Sequence, residues 1–154
     1  MNNKHTESEP VHRSQWVSQF IDIFQRLNKN NLHLLLEATY HVDIHFEDPL
    51  HKVDGLENLH QYFEKLYANI ITCHFDIHQS FEQGNQAALY WTMTYQHPKL
   101  KSGEKIVVSG HSYLVSFEDK VITHRDYFDV GSMLYEHLPL IGYGISWIKK
   151  KATS

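Results

Sequence analysis

Apolar residues recur at three- and four-residue steps early in the chain and at two-residue steps later. This division limits the accessible folds more than any other feature. Trp16, Val17, Phe20, Ile21, Phe24 and Leu27 follow helical spacing, with Ser14 where an N-cap belongs. Asn28 to Asn31 breaks that run, and Leu32, Leu35, Leu36 and Tyr40 predict a second, short helix. Val42, Ile44 and Phe46 then alternate with His41, Asp43, His45 and Glu47, predicting a strand over 41–48 that Pro49 ends. After a turn at Asp54-Gly55, residues Leu59, Tyr62, Phe63, Leu66 and Tyr67 restore helical spacing across 56–70. Strands are predicted over 72–81, 87–96, 106–117 and 121–129, parted by Gln83-Gly84-Asn85, by 97–103 and by Glu118-Asp119-Lys120.

Helices, one strand, a helix and then a run of strands predict an α+β domain, with one curved antiparallel sheet wrapped around the helices. A length of 154 residues suits one core. We divide the chain into a flexible polar tail (1–13), a domain (14–135) and an extension (136–154) packed on the domain or on an interface. A formal net charge of -4 argues against nucleic acid as a partner. Cys73 is the single cysteine, so no intrachain disulfide forms and an oxidising compartment is not needed. The first residues lack the apolar stretch of a signal peptide, and no apolar run approaches the roughly 20 residues that cross a bilayer. These features together predict a cytoplasmic protein.

Two motifs carry a resemblance. A strand ending in Phe46-Glu47-Asp48-Pro49 with Gly55 opening the next helix, and Thr123-His124-Arg125-Asp126-Tyr127-Phe128-Asp129 on the last strand, resemble the nuclear transport factor 2-like superfamily. That superfamily includes SnoaL-type polyketide cyclases, ketosteroid isomerases and limonene epoxide hydrolases. The last-strand motif is similar to the Arg-Asp-Tyr-Phe-Asp stretch of the epoxide hydrolases, and the likeness runs from Trp16 to Tyr135. The tail from Leu134 through Pro139 to Gly142, closing on Lys149-Lys150-Lys151, resembles a bacterial subgroup of SnoaL-like proteins. The resemblance implies a cone-shaped, cystatin-like α+β barrel with an internal pocket for a small apolar molecule. It also implies proton-transfer chemistry of isomerase, cyclase/lyase or epoxide-hydrolase type, or else a dimeric interaction or ligand-carrier module without catalysis.

Asp48 falls where the isomerases carry a general base, and a carboxylate at the mouth of an apolar pocket is poised to take a substrate proton. Asp-Pro at a strand end is also ordinary turn chemistry. Asp126 falls where the epoxide hydrolases carry the acid that protonates the opening epoxide. In an apolar strand it needs a partner, and alternation puts it on one face with His124 and Phe128 while Arg125, Tyr127 and Asp129 face away. We therefore take Asp126, Asp48 and His124 as candidate catalytic residues. Phe24, Phe46, Trp91, Met93, Ser112, Leu114 and Phe128 are candidate ligand-binding residues. The chain departs from both relatives: Trp91 and Met93 stand where the epoxide hydrolases need Arg and Asp. Ile23 or Phe24, and Ser112, stand where the isomerases carry their oxyanion pair.

No metal or other cofactor is expected. His41/His45 and His74/His78 lie four apart on predicted strands, roughly 13 Å from each other, too far to chelate. Cys73 reads as a buried small hydrophobe, and Gly142-Tyr143-Gly144 lacks the context of a phosphate loop. Pro139, Gly142 and Gly144 should interrupt any long helix in the tail, which makes membrane contact a weak expectation. Tyr113, Val115, Phe117 and Tyr127 give the outer sheet face an apolar, aromatic character, and a homodimer through that face is expected.

Overall fold

The computed structural model describes residues 13–138 and 141–152; of the expected tail over 1–13 only Arg13 lies among them. Helix α1 (Gln15–Arg26) buries the face made by Trp16, Val17, Phe20, Ile21, Ile23 and Phe24, as its spacing requires. Ser14 occupies the N-cap position, but its hydroxyl makes no cap bond and is buried without a partner. Its backbone N–H donates instead to the Glu82 carboxylate at 3.0 Å. Helix α2 (Leu32–Thr39) stops one residue short of expectation, because Tyr40 opens the first strand, β1 (Tyr40–Glu47).

A three-residue strand, β2 (Lys52–Asp54), was not anticipated. Lys52 sits opposite Glu47 and Asp54 opposite His45. Gly55 then takes a φ of 84°, open to glycine without strain, and leads into α3 (Leu56–Ala68). The four long strands follow: β3 (Thr72–Gln83), β4 (Gln86–Gln96), β5 (Ile106–Phe117) and β6 (Lys120–Phe128). Asp129, expected to end the last strand, instead caps the short helix α4 (Val130–Met133), accepting from the Gly131 amide at 2.7 Å.

The six strands form one curved, unclosed sheet in the order β2-β1-β6-β5-β4-β3. It is mixed rather than wholly antiparallel, since β1 runs parallel to β6. The pairing shifts between Tyr40 and His45 of β1, and Val42, expected to face the core, is instead 65% exposed. Further irregularities between Ile77 and Gln79, and between Val115 and Ser116, add local bend and twist. The helices close over the concave side, where α1, α2 and α3 join the inward residues of the sheet in one apolar core. A smaller cluster of Tyr95, Leu100, Ile106 and Val108 fills the end beyond the cavity, with Met133 and Leu134 against it.

The C-terminal helix α5 (Ile141–Ala152) contains both Gly142 and Gly144, contrary to expectation. Gly142 has a packing reason to be there. A Cβ on it would lie 2.5 Å from the Glu136 carbonyl oxygen, so only glycine lets α5 approach the turn at Tyr135–His137. Lys149 reinforces that contact through its ion pair with Glu136. Among the described residues no helix is long and apolar enough to cross a membrane.

Candidate functional site

Alternation along β6 sends His124, Asp126 and Phe128 inward and Arg125 and Tyr127 outward, and the register pairs Asp126 with Ser112 and His124 with Leu114 on β5. On β4, Leu89 lies opposite Ser112 and Trp91 opposite Gly110. Gly110 is small for a reason. A Cβ there would meet the Trp91 six-membered ring at 2.4 Å, so glycine gives the indole room to lie across β5.

These positions assemble a chain of hydrogen bonds whose directions can be assigned from one end. An indole N–H can only donate, and Trp91 Nε1 donates to Ser112 Oγ at 2.8 Å. The single Ser112 proton is thereby free to point at Asp126 Oδ1, 2.5 Å away. His124 Nε2 lies 2.7 Å from the same oxygen. On its other side, His124 Nδ1 meets the Tyr40 hydroxyl at 2.6 Å. Burial, and secondarily the Asp126 charge, push Tyr40 well above the ordinary phenol range, so it keeps its proton and donates to Nδ1. A neutral His124 must then carry its proton on Nε2 and donate to Asp126. His124 itself is fully enclosed, its ring centroid 5.0 Å from that of Phe46 and 5.6 Å from that of Phe20. Both donors converge on Oδ1, and among the described residues none reaches Oδ2.

Asp126 opens into a cavity of ≈ 150 Å³ between the sheet and α3, with Asp48 in the same wall. Phe24, Phe46, Trp91, Met93 and Phe128 line it. Ser112, Leu114 and His124 do not: Ser112 and His124 sit behind Asp126 as its donors, and Leu114 is core. The volume is below the few hundred Å³ usual for drug-sized ligands, and matches an engineered cavity known to hold one benzene ring.

Asp48 is more constrained than Asp126. Its Oδ1 accepts the Leu50 and His51 amides, each at 2.7 Å, closing the turn from β1 to β2. Its Oδ2 accepts the Tyr62 hydroxyl. Burial and this bond drive Tyr62 far above the phenol range, so the proton stays on the tyrosine. Of the two carboxylates, only Asp126 has an oxygen to which no described group donates.

Several wall residues carried no role in the sequence reading: Tyr62, Tyr67, Cys73 and Tyr95. The signal was available, since a buried tyrosine in place of phenylalanine needs a hydrogen-bond partner. Tyr95 donates to the Met133 carbonyl, and burial pushes it up to about 12. Tyr67 and Cys73 hydrogen-bond to each other; burial raises the Cys73 thiol to about 12 against the opposing effect of Tyr67. At neutral pH that thiol is protonated and a poor nucleophile. Among the described residues no three His, Cys, Asp or Glu side chains gather as metal ligands.

A curved, unclosed sheet closed by helices over an apolar cavity defines the cone-shaped nuclear transport factor 2-like class. Within that class, residues 17–125 match the SnoaL-like domain, and the chain belongs to the SnoaL-like family. No curated protein matches it. Among solved structures, a protein from Jannaschia sp. CCS1 described as a SnoaL-like polyketide cyclase superposes with a TM-score of 0.70. It shares 13% identity over 81% of this chain and 95% of that one. A Catenulispora acidiphila protein with a ketosteroid isomerase-like fold, solved in complex with trimethylamine, gives 0.67 at 15% identity, covering 80% and 92%. An LEH-like epoxide hydrolase of M. tuberculosis gives 0.61 at 17% identity, covering 77% and 83%.

Proposed function

We propose that this SnoaL-like chain binds a small, largely apolar molecule in the cavity, and that Asp126 Oδ2 exchanges a proton with it. The observation that carries this reading is the division of labour on one carboxylate. Oδ1 is fixed by Ser112 and His124, while Oδ2 is left without a donor in an otherwise apolar chamber. A carboxylate held in one orientation, with Tyr40 and His124 enclosed behind it, is preorganised to take and return a proton. That is the elementary step of isomerase, lyase and epoxide-hydrolase-type chemistry, and one structural neighbour is described as an LEH-like epoxide hydrolase. Asp48 supports the site by holding Tyr62, and His124 acts through Asp126.

The test uses two compounds small enough for the cavity, cyclohexene oxide and cyclohex-3-en-1-one. Turnover of either to the diol or to the conjugated enone, lost in Asp126→Asn while the fold is retained, supports proton transfer. No turnover of either, or turnover indifferent to Asp126→Asn, overturns it and favours the second reading, a ligand carrier or interaction module.

The outer sheet face favours a homodimer in either case. Tyr127, Phe117 and Phe81 are 39%, 52% and 56% exposed there, and an apolar surface of this kind gains by being covered. The setting we propose is the cytoplasm, where the single Cys73 stays a thiol.

A further inference from the structure

The polar groups of the cavity wall are unequal in a way that constrains the ligand. Every strong donor is already committed to the protein. The Tyr62 hydroxyl donates to Asp48, the Tyr95 hydroxyl to the Met133 carbonyl, and the Trp91 indole N–H to Ser112 behind the wall. Tyr67 is engaged with Cys73, whose own S–H is a weak donor. What faces the space is one carboxylate oxygen without a donor among the described residues, together with hydroxyl lone pairs. The rest is rings, including Phe24, Phe46, Phe75 and Phe128.

Such a chamber discriminates by the sign of the ligand's polar group. A carbonyl, carboxylate or other acceptor entering it while Asp126 carries no proton would lose its water and find no free donor among the described residues, and so would bind more weakly than a donor of the same shape. A donor would instead satisfy Asp126 Oδ2. A cationic donor gains twice, because the bond to a carboxylate is charge-assisted and ring faces attract positive charge. The size admits one ring or a short branched chain.

We propose that the ligand of this cavity is a compact apolar amine, held as its ammonium ion with an N–H on Asp126 Oδ2 and its hydrocarbon body against the aromatic walls. The proposal rests on the cavity being a ligand site, as above, and goes beyond it by fixing the ligand's class. It also predicts that acceptor-bearing molecules of equal size, epoxides and ketones included, enter the cavity more weakly than the amine.

Calorimetric titration of the full chain at neutral pH with benzylamine, benzaldehyde and toluene separates the two levels. The three have nearly one shape and differ in the polar group. Benzylamine is expected to bind at least tenfold tighter than benzaldehyde or toluene. Asp126→Asn should remove that margin while changing toluene binding less than twofold. If benzaldehyde or toluene binds as tightly as benzylamine, or the variant keeps the margin, the amine assignment is overturned while the cavity reading stands. If none of the three binds, both fall. The wild-type comparison decides the matter even if the variant does not fold.

Discussion

The two faces of β4, β5 and β6 are built from alternate residues of the same strands, yet they satisfy their polar groups in opposite ways. Inward, Trp91, Ser112, Asp126 and His124 form a directed chain of hydrogen bonds of 2.5–2.8 Å with almost no solvent. Outward, Tyr90, His111 and Tyr127 stack across three strands, with centroids 5.3 and 4.7 Å apart, and Arg125 lies over the Tyr127 ring. A partner lost from the inner set is poorly replaced by solvent, because His124 and Asp126 are only 0% and 14% exposed, whereas the outer set lies open to it. Equal chemistry placed one residue apart should therefore have very unequal consequences.

The largest expected contrast is in alkali. The cavity and its surroundings hold Cys73, raised from 9.0 to about 12, and Tyr95, raised from 10.0 to about 12, with Tyr62 and Tyr67 raised further still and Tyr40 held well above the phenol range. Each folded-state value lies above its unfolded one, so their contribution to stability is fully present below pH 9 and is lost as pH rises toward 12 and beyond. Urea midpoints should stay level to about pH 9 and then fall steeply, with tyrosinate absorbance appearing together with unfolding. A midpoint unchanged to pH 12 would show that these groups are not enclosed as described.

Next in size are two substitutions of inward residues. Leu114→Ala removes a fully buried side chain from the middle of β5 and should cost about 2–5 kcal/mol in chemical denaturation. If Leu114 were part of the ligand surface, it would instead weaken ligand binding at little cost to the fold. Gly110→Val drives its side chain into the Trp91 ring and the Tyr127 carbonyl, both within 2.7 Å of the new Cβ. Overpacking there should cost about 1–3 kcal/mol and displace Trp91, so tryptophan emission should shift along with the melt. A variant as stable as the parent, with unchanged emission, would refute the packing of that indole.

Much of this contrast was legible before the fold was known, because period-two alternation needs no partner to be read. His124, Asp126 and Phe128 fell on one face and Arg125 and Tyr127 on the other, as the register confirms. What alternation cannot supply is depth. Ser112 and Leu114 share that inward face, but Ser112 sits behind the chamber as the link between Trp91 and Asp126, and Leu114 is fully buried in the core. Nor can local pattern report a register shift, which is why Val42, on the apolar side of the predicted alternation, is exposed. Tyr40 looked like the last turn of a helix, and its role as the donor behind His124 depends on a residue 84 positions away. The glycines of α5 misled for a similar reason. Propensity counts their cost, while the close approach of Gly142 to Glu136 that offsets it is tertiary.

The smallest effect on the folded subunit, and the sharpest test of the comparison, belongs to the outer face. Tyr127→Ser removes one ring from the stack and leaves Arg125 its ion pair with Glu47, 3.5 Å away. Cross-strand pairs of this kind contribute about 0.2–1 kcal/mol, and the vacated surface stays hydrated, so the loss should be at or below that range. The same substitution thins the apolar patch that a second copy would cover. If two chains pair through this face, sedimentation should show the dimer weakening although each subunit melts almost as before, and the melt should become less dependent on concentration. A large loss of stability at every concentration would mean that the outer stack supports the subunit itself. The two faces would then differ in chemistry but not in structural weight.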